Sequence, residues 1–183
     1  MIPVEKATDR IILSDTDQKD IVYWLAVQIA KVLSPGALAE LRRLSVQNPF
    51  SPTVWRLLTD SRFDMILAGN TKQVAKAEFQ WSLIIHMLAL TPGQHNPIQP
   101  LGKALASNGF SEIRLNRLLK SQDDQMFDQI GTTARFLKSK AVDFNAYELA
   151  SLILSPLKTM RGDAVRNWIA RSYYINLAII ERE

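Results

Sequence analysis

The stretch "LGKALASNGFSEIRLNRLLKS", Leu101 to Ser121, decides between two folds. Its Gly-Lys pair invites comparison with the phosphate-binding loop of an α/β nucleotide enzyme. That loop needs a first glycine five positions before Gly102 and a hydroxyl residue after Lys103. Pro97 and Ala104 stand there instead. A proline offers no N–H to a phosphate, and an alanine cannot ligate magnesium. No βαβ pattern surrounds the segment, so a dinucleotide fingerprint is excluded as well. What remains is helix, turn, helix. Asn96-Pro97 reads as cap and first helical residue, Leu101 and Leu105 continue the apolar face, and Asn108-Gly109 supplies a left-handed stop. Ser111 caps the second helix. At about 100° per residue, Leu115, Leu118 and Leu119 share one side, while Arg114, Arg117 and Lys120 spread over about 120° of the other.

Working outward, helix signals recur and strand alternation is absent. Asp17 or Asp20 is read as the cap of a helix through Tyr23, Trp24, Val27, Ile29 and Val32. Ser34-Pro35-Gly36 restarts the chain into "ALAELRRL", with Leu38, Leu41 and Leu44 on one face and Arg42 and Arg43 off it. Ser51-Pro52 caps a short helix carrying Val54, Trp55 and Leu58. Phe79 to Leu90 reads as a central helix, apolar on nearly every side. Further helices are expected over Met126–Lys140 and Phe144–Leu154. A last one, capped by Asp163, has Val165, Trp168, Ile169, Tyr173 and Ile180 as its buried stripe and Arg171 and Tyr174 opposite. The tryptophans Trp24, Trp55, Trp81 and Trp168 are all expected in the core. "TPGQHNPIQP", with three prolines and a glycine, reads as a hinge. The expected fold is therefore all-α, as two small packed helical bundles over residues 1–95 and 96–183.

Composition narrows the chemistry. The chain has 183 residues, 47% of them hydrophobic and 22% charged, with a formal net charge of +4 and no cysteine. Thiol nucleophiles, disulfides and zinc thiolate sites are excluded. The basic balance permits a polyanionic partner. The N-terminal "MIPVEKATDRIILSD" has early acids and too short an apolar run for a signal peptide. The apolar tracts Ile21–Leu33 and Phe79–Leu90 fall short of the ~20 residues of a membrane span. A cytoplasmic protein without a membrane partner is expected. His86 reads as a core histidine and His95 as an exposed loop residue. Neither belongs to a metal-binding or triad spacing. Asp123, Asp124 and Asp128 lack the ligand spacing of a calcium loop and read as capping and solvated groups. No paired carboxylates occupy a buried face. No catalytic residue, metal or cofactor is expected.

The run "PLGKALASNGFSEIRLNRLLKSQDD", the later "ARFLKS" and the terminal "GDAVRNWIARSYY" resemble the CasB family, the small subunit of the type I-E CRISPR surveillance complex Cascade. The family pattern runs Leu-Gly-Arg/Lys-Ala-Leu, then Ser-x-x-Arg-Phe-x-x-Leu-Leu, then Arg-x-Trp-Ala-x-x-Tyr. Leu101 to Leu105 match the first part, and Ser111, Arg114, Leu118 and Leu119 the second. Arg166, Trp168 and Tyr173 match the third. "GALAELRRL" and "SPTVWRLL" resemble the family's upstream helices, so the likeness covers about residues 36 to 174. The chain departs from the pattern at Ile113, where many members have a second arginine, at Leu115 for phenylalanine, and at Phe136, where some members have arginine.

The resemblance implies a non-catalytic, helical subunit, paired head to tail with a second copy beside other Cascade subunits. It implies contacts to the guide RNA, the target DNA and the displaced strand. Candidate contact residues are Arg114, Arg117 and Lys120, then Lys103, Arg42 and Arg43, then Arg135, Lys138, Arg161, Arg166 and Arg171. Tyr174 is read as partly packed at a subunit contact, with base stacking as the alternative. Two other readings stay open: a helix-turn-helix regulator reading bases through Arg114 or Arg117, and a structural adaptor whose basic faces meet acidic proteins.

Overall fold

The computed structural model describes residues 14–182, so most of the N-terminal stretch read for a signal peptide lies outside the described residues. Nine α-helices run through them: α1 Asp15–Val27, α2 Pro35–Arg42, α3 Pro52–Leu58, α4 Thr71–Leu90, α5 Leu101–Ala106, α6 Glu112–Lys120, α7 Asp123–Ser139, α8 Ala146–Leu154 and α9 Met160–Ile180. The described residues contain no strand, only an isolated parallel bridge between His95 and Phe144. The all-α expectation holds. None of the described helices is long and apolar enough to cross a membrane.

Side chains set the helix starts. Ser14 accepts from the Asp17 N–H, and Asp17 reaches back to the Ser14 N–H, so Asp17 closes the capping box of α1 from inside. A π-helical turn, Gln28–Val32, ends that helix through a Leu33 N–H bond to the Gln28 carbonyl. Ser34 and Ser51, each followed by proline, cap α2 and α3 as the sequence predicts. Asn70 and Gln73 form a second capping box, which starts α4 eight residues before its apolar run begins. The residues before Phe79 were invisible to a hydrophobic pattern because two polar turns precede the buried part. Thr159, rather than Asp163, caps α9, its hydroxyl accepting from the Gly162 N–H. Asn96 and Pro97 form a turn before α5 rather than its first residues.

Helix α4 is central. Trp81 to Ala89 are buried without interruption, and the helix packs against α1, α2, α3, α7 and α8. Phe63 stands edge-on between Trp24 and Trp81 in that core, at centroid distances of 6.4 and 5.1 Å. Each such fully buried large side chain contributes about 1.5–3 kcal/mol. The connection over residues 91–100, where the sequence suggests a boundary, is tied to the α7–α8 loop. The Phe144 N–H donates to the Gln94 carbonyl, the Asn96 N–H donates to the Phe144 carbonyl, and the Gln94 amide donates to the Leu137 and Val142 carbonyls. Buried apolar residues from both sides of this connection form one contiguous cluster.

The tightest crossing is α5 on α9. A Cβ at Gly102 would stand 2.8 Å from the Ser172 Cβ and would collide with the Ile169 carbonyl and the Tyr173 amide. Gly102, whose pairing with Lys103 invites comparison with a phosphate loop that Pro97 and Ala104 exclude, is a packing glycine that lets two backbones touch. After α5, Gly109 at φ +77° makes the left-handed stop, and the Phe110 N–H returns to the Leu105 carbonyl.

Candidate nucleic-acid interface

The basic stripe on α6 is built as the sequence predicts. Ser111 accepts from the Arg114 N–H at the helix start. Leu115 and Leu118 are buried, whereas Arg114, Arg117 and Lys120 are all exposed. Among the described residues none of the three forms an ion pair; the pair that does form is Arg62 with Asp60 at 2.8 Å. Arg117 and Lys120 line a groove of about 510 Å³ between α6 and α7, with Asn116, Gln125, Gln129 and Asp128. Helices α6 and α7 run antiparallel, since Phe110 before α6 meets Phe136 near the end of α7 at 5.0 Å.

Helix α9 brackets this stripe from behind at both ends. At one end the Tyr173 hydroxyl donates to the Phe110 carbonyl. The Glu112 carboxylate in the first turn of α6 holds the pKa of the neighbouring Tyr174 above its ordinary value. At the other end the Arg166 Nε–H donates to the Leu119 carbonyl at 2.9 Å. Its Nη1 also donates to the Ser155 and Gly162 carbonyls, each at 3.0 Å.

Arg166 is therefore a correction to the expected contact set. It is 8% exposed, with two nitrogens spent on backbone carbonyls, so it is a structural tie and not a surface cation. Its pKa is lowered by burial and raised by the nearby Asp163 carboxylate. The other candidates divide by exposure. Lys103, Arg43, Lys138 and Arg171 are exposed. Arg42 is exposed, but its Nε–H donates to the Ala89 carbonyl at the end of α4. Arg135 is exposed and lies along its own helix beside Gly131 and the His86 ring. Arg161 is half-buried and donates to the Gln18 amide oxygen at 2.6 Å, joining α9 to α1. Arg42 ends α2 and Arg43 caps it; α2 packs on α3 and α4, whereas α6 packs on α7.

The histidines are both structural. His86 is buried, bonds through Nδ1 to the Leu41 carbonyl at 2.9 Å and stacks on Phe127. Burial, and then the Arg135 charge, lower its pKa against the opposing effect of the carbonyl. His95, expected to be exposed, is half-buried: its Nδ1 accepts the Ala146 N–H, and Tyr23 packs edge-on against it. Burial and the Lys19 charge lower its pKa. Asp123 and Asp124 stand exposed in the first turn of α7, where carboxylates suit the helix dipole. They do not cap it.

Two tryptophans also depart from expectation. Trp55 is 42% exposed and stacks on Phe50. Trp168 is 59% exposed, and its indole N–H donates to Glu148 at 3.0 Å. The buried side of α9 is Gly162, Arg166, Ile169 and Tyr173, centred roughly 130° round the helix from Trp168. Ile180, expected in that stripe, is exposed as well.

The comparisons agree with this architecture. A sequence model of the family described as CRISPR-associated protein Cse2 matches residues 37–174. A crystal structure of CasB from Thermobifida fusca superposes with a TM-score of 0.66 at 16% identity, covering 87% of this chain and 97% of that one. At that identity the structural match speaks for the fold. Comparison with curated proteins gives no match. The family match spans three quarters of the sequence, including all of α3 to α8 and most of α2 and α9, and so the chain belongs to the CRISPR-associated Cse2 family, a membership that implies a subunit of a Cascade assembly.

Proposed function

We propose that this chain is the non-catalytic small subunit of an RNA-guided CRISPR surveillance complex and stabilises the R-loop by holding nucleic-acid backbone without reading sequence. Its partners on this reading are the other Cascade subunits, a second copy of itself head to tail, the guide RNA and the target DNA, all in the cytoplasm. The observation that carries the reading is the α6 stripe. Three exposed, unpaired cations sit on a helix fixed to the core along one side and tied to α9 at both ends. Such an array gives charge at fixed positions with little ordering cost. Forming an R-loop exchanges one duplex for another at nearly equal free energy, so a few phosphate contacts can tip the balance.

The test is binding of labelled single-stranded DNA, duplex DNA and a preformed R-loop across a salt series, wild type beside the Arg114→Ala, Arg117→Ala, Lys120→Ala triple variant. Three single-strand phosphate contacts correspond to a log–log salt slope lower by about 2 units in the variant. Binding should not depend on sequence. A variant that binds like wild type refutes the stripe as the clamp. Sequence-selective binding by the free protein would instead support the regulator. No binding even at low salt would support the adaptor.

A further inference from the structure

Trp168 has a geometry that a structural role leaves unexplained. More than half of its surface faces solvent, yet its ring is held. The indole N–H donates to one oxygen of Glu148, and the other oxygen accepts the Leu101 N–H at 2.7 Å. The carboxylate is thus anchored at the start of α5 and in turn orients the indole. With its single polar atom satisfied, the ring has only its aromatic surface left to offer.

Its surroundings are those a nucleotide needs. Beside it lies a mostly apolar cleft of about 370 Å³ between α8 and α9, floored by Val165 and Ile169, which leaves room for a flat ring against the indole. The exposed Arg171 is three residues on, about 4.5 Å further along the axis and within about 60° of Trp168 on the wheel. The nearest acid, Glu148, is occupied by its two bonds. An apolar helix of a protein partner would meet Ile175 and Ile179 on the same side. It would leave the Arg171 charge against apolar surface. A flat ring tethered to a phosphate uses both the exposed indole face and the Arg171 charge.

We infer that Trp168 is a stacking platform for an unpaired nucleobase, with Arg171 on the adjoining phosphate. The inference rests on the nucleic-acid reading above and adds base contact to backbone contact. A stacked base contributes sequence-tolerant affinity, consistent with a protein that does not read sequence.

The experiment uses the purified full chain with a labelled oligo(dT) strand and with an abasic strand of equal length, which keeps the phosphates and removes the bases. Trp168→Leu should weaken oligo(dT) binding by roughly 5- to 150-fold, and Trp168→Phe should keep most of the affinity. The salt slope should not change in either. Wild type should bind the abasic strand about as weakly as Trp168→Leu binds oligo(dT), an arm that needs no folded variant. If wild type binds both strands equally, or Trp168→Leu matches wild type while the α6 triple variant loses binding, the platform is refuted and the clamp stands. If Trp168→Leu keeps DNA affinity but fails to enter the assembled complex, the face is a protein contact and the inference is overturned. If wild type binds neither strand, the nucleic-acid reading falls and the platform with it.

Discussion

Replacing Arg166 separates a structural arginine from a nucleic-acid contact. Its guanidinium donates to the carbonyls of Leu119, Ser155 and Gly162, which belong to the end of α6, the α8–α9 loop and the first turn of α9. A hydrogen bond to a charged group is worth about 1.5–3 kcal/mol, so the three without correction would give about 5–9 kcal/mol. Arg166→Met removes them but also recovers the several kcal/mol spent on burying the charge. The net loss should be about 2–5 kcal/mol, because the Ser155 carbonyl stays buried, and the Leu119 carbonyl half-buried, without this donor. For a chain of this size that is a fall in Tm of about 5–15 °C. Arg166→Lys should lose nearly as much, since one ammonium cannot reach three carbonyls set around a planar fork. Thermal and urea unfolding would measure both variants, and oligo(dT) binding below their transitions would measure function. The reasoning is refuted if Arg166→Met unfolds within about 0.5 kcal/mol of wild type while losing nucleic-acid affinity, because that is the pattern of a surface contact.

Other perturbations test the packing around the same helix. Gly102→Ala should destabilise by about 1–3 kcal/mol or more by urea unfolding, since the new Cβ meets backbone atoms of α9 that cannot rotate away. Tyr173→Phe should cost about 1–3 kcal/mol in the same assay, because the buried Phe110 carbonyl loses the hydroxyl that bonds it. The two histidines make stability depend on pH. Their folded pKa values lie below the unfolded one, so the unfolded chain takes up protons first as pH falls below about 6.5. Stability should be full above that value and decline as pH falls toward the folded pKa values. A His86→Gln, His95→Gln double variant should flatten this decline in melts between pH 5 and 8, and an unchanged slope would assign it to the carboxylates.

What the sequence disclosed follows from which signals are local. Ser34-Pro35, Ser51-Pro52 and Ser111 place their caps correctly because a cap is a bond between neighbours in sequence. The α6 stripe was legible because its charges and leucines divide cleanly between two sides of the helix. Helix α9 was not. It carries Val165, Trp168, Ile169, Tyr173, Ile175, Ile179 and Ile180 over an arc of about 160°, wider than its buried side, so periodicity could not tell which part of that arc faces inward. Two residues outside any hydrophobic pattern settle the rotation: Gly162, where a Cβ would strike the Pro156 carbonyl, and Arg166, whose bonds require it to point into the fold. The buried arginine and the exposed tryptophan are one error in helix rotation seen at two positions.

That rotation also bears on how the proposed clamp works. Arg166 and Trp168 are two residues apart, so they project about 160° apart on α9. One reaches back to the end of α6, and the other faces solvent beside Arg171. The α6 cations and the Trp168 face are therefore mounted on two helices joined by the Arg166 bond to Leu119 and by the Tyr173 bond to Phe110 just before α6. A clamp that acts on a nearly balanced strand exchange gains little if it must first order its own contacts. Fixing the spacing of two contact faces in advance avoids that cost. On this reading Arg166 serves binding without touching nucleic acid. A milder lesion at the same joint, Tyr173→Phe, should leave each contact residue in place while loosening their spacing. It should therefore weaken binding to strands long enough to reach both faces more than to short ones. Equal losses on long and short strands would show that the two faces act independently.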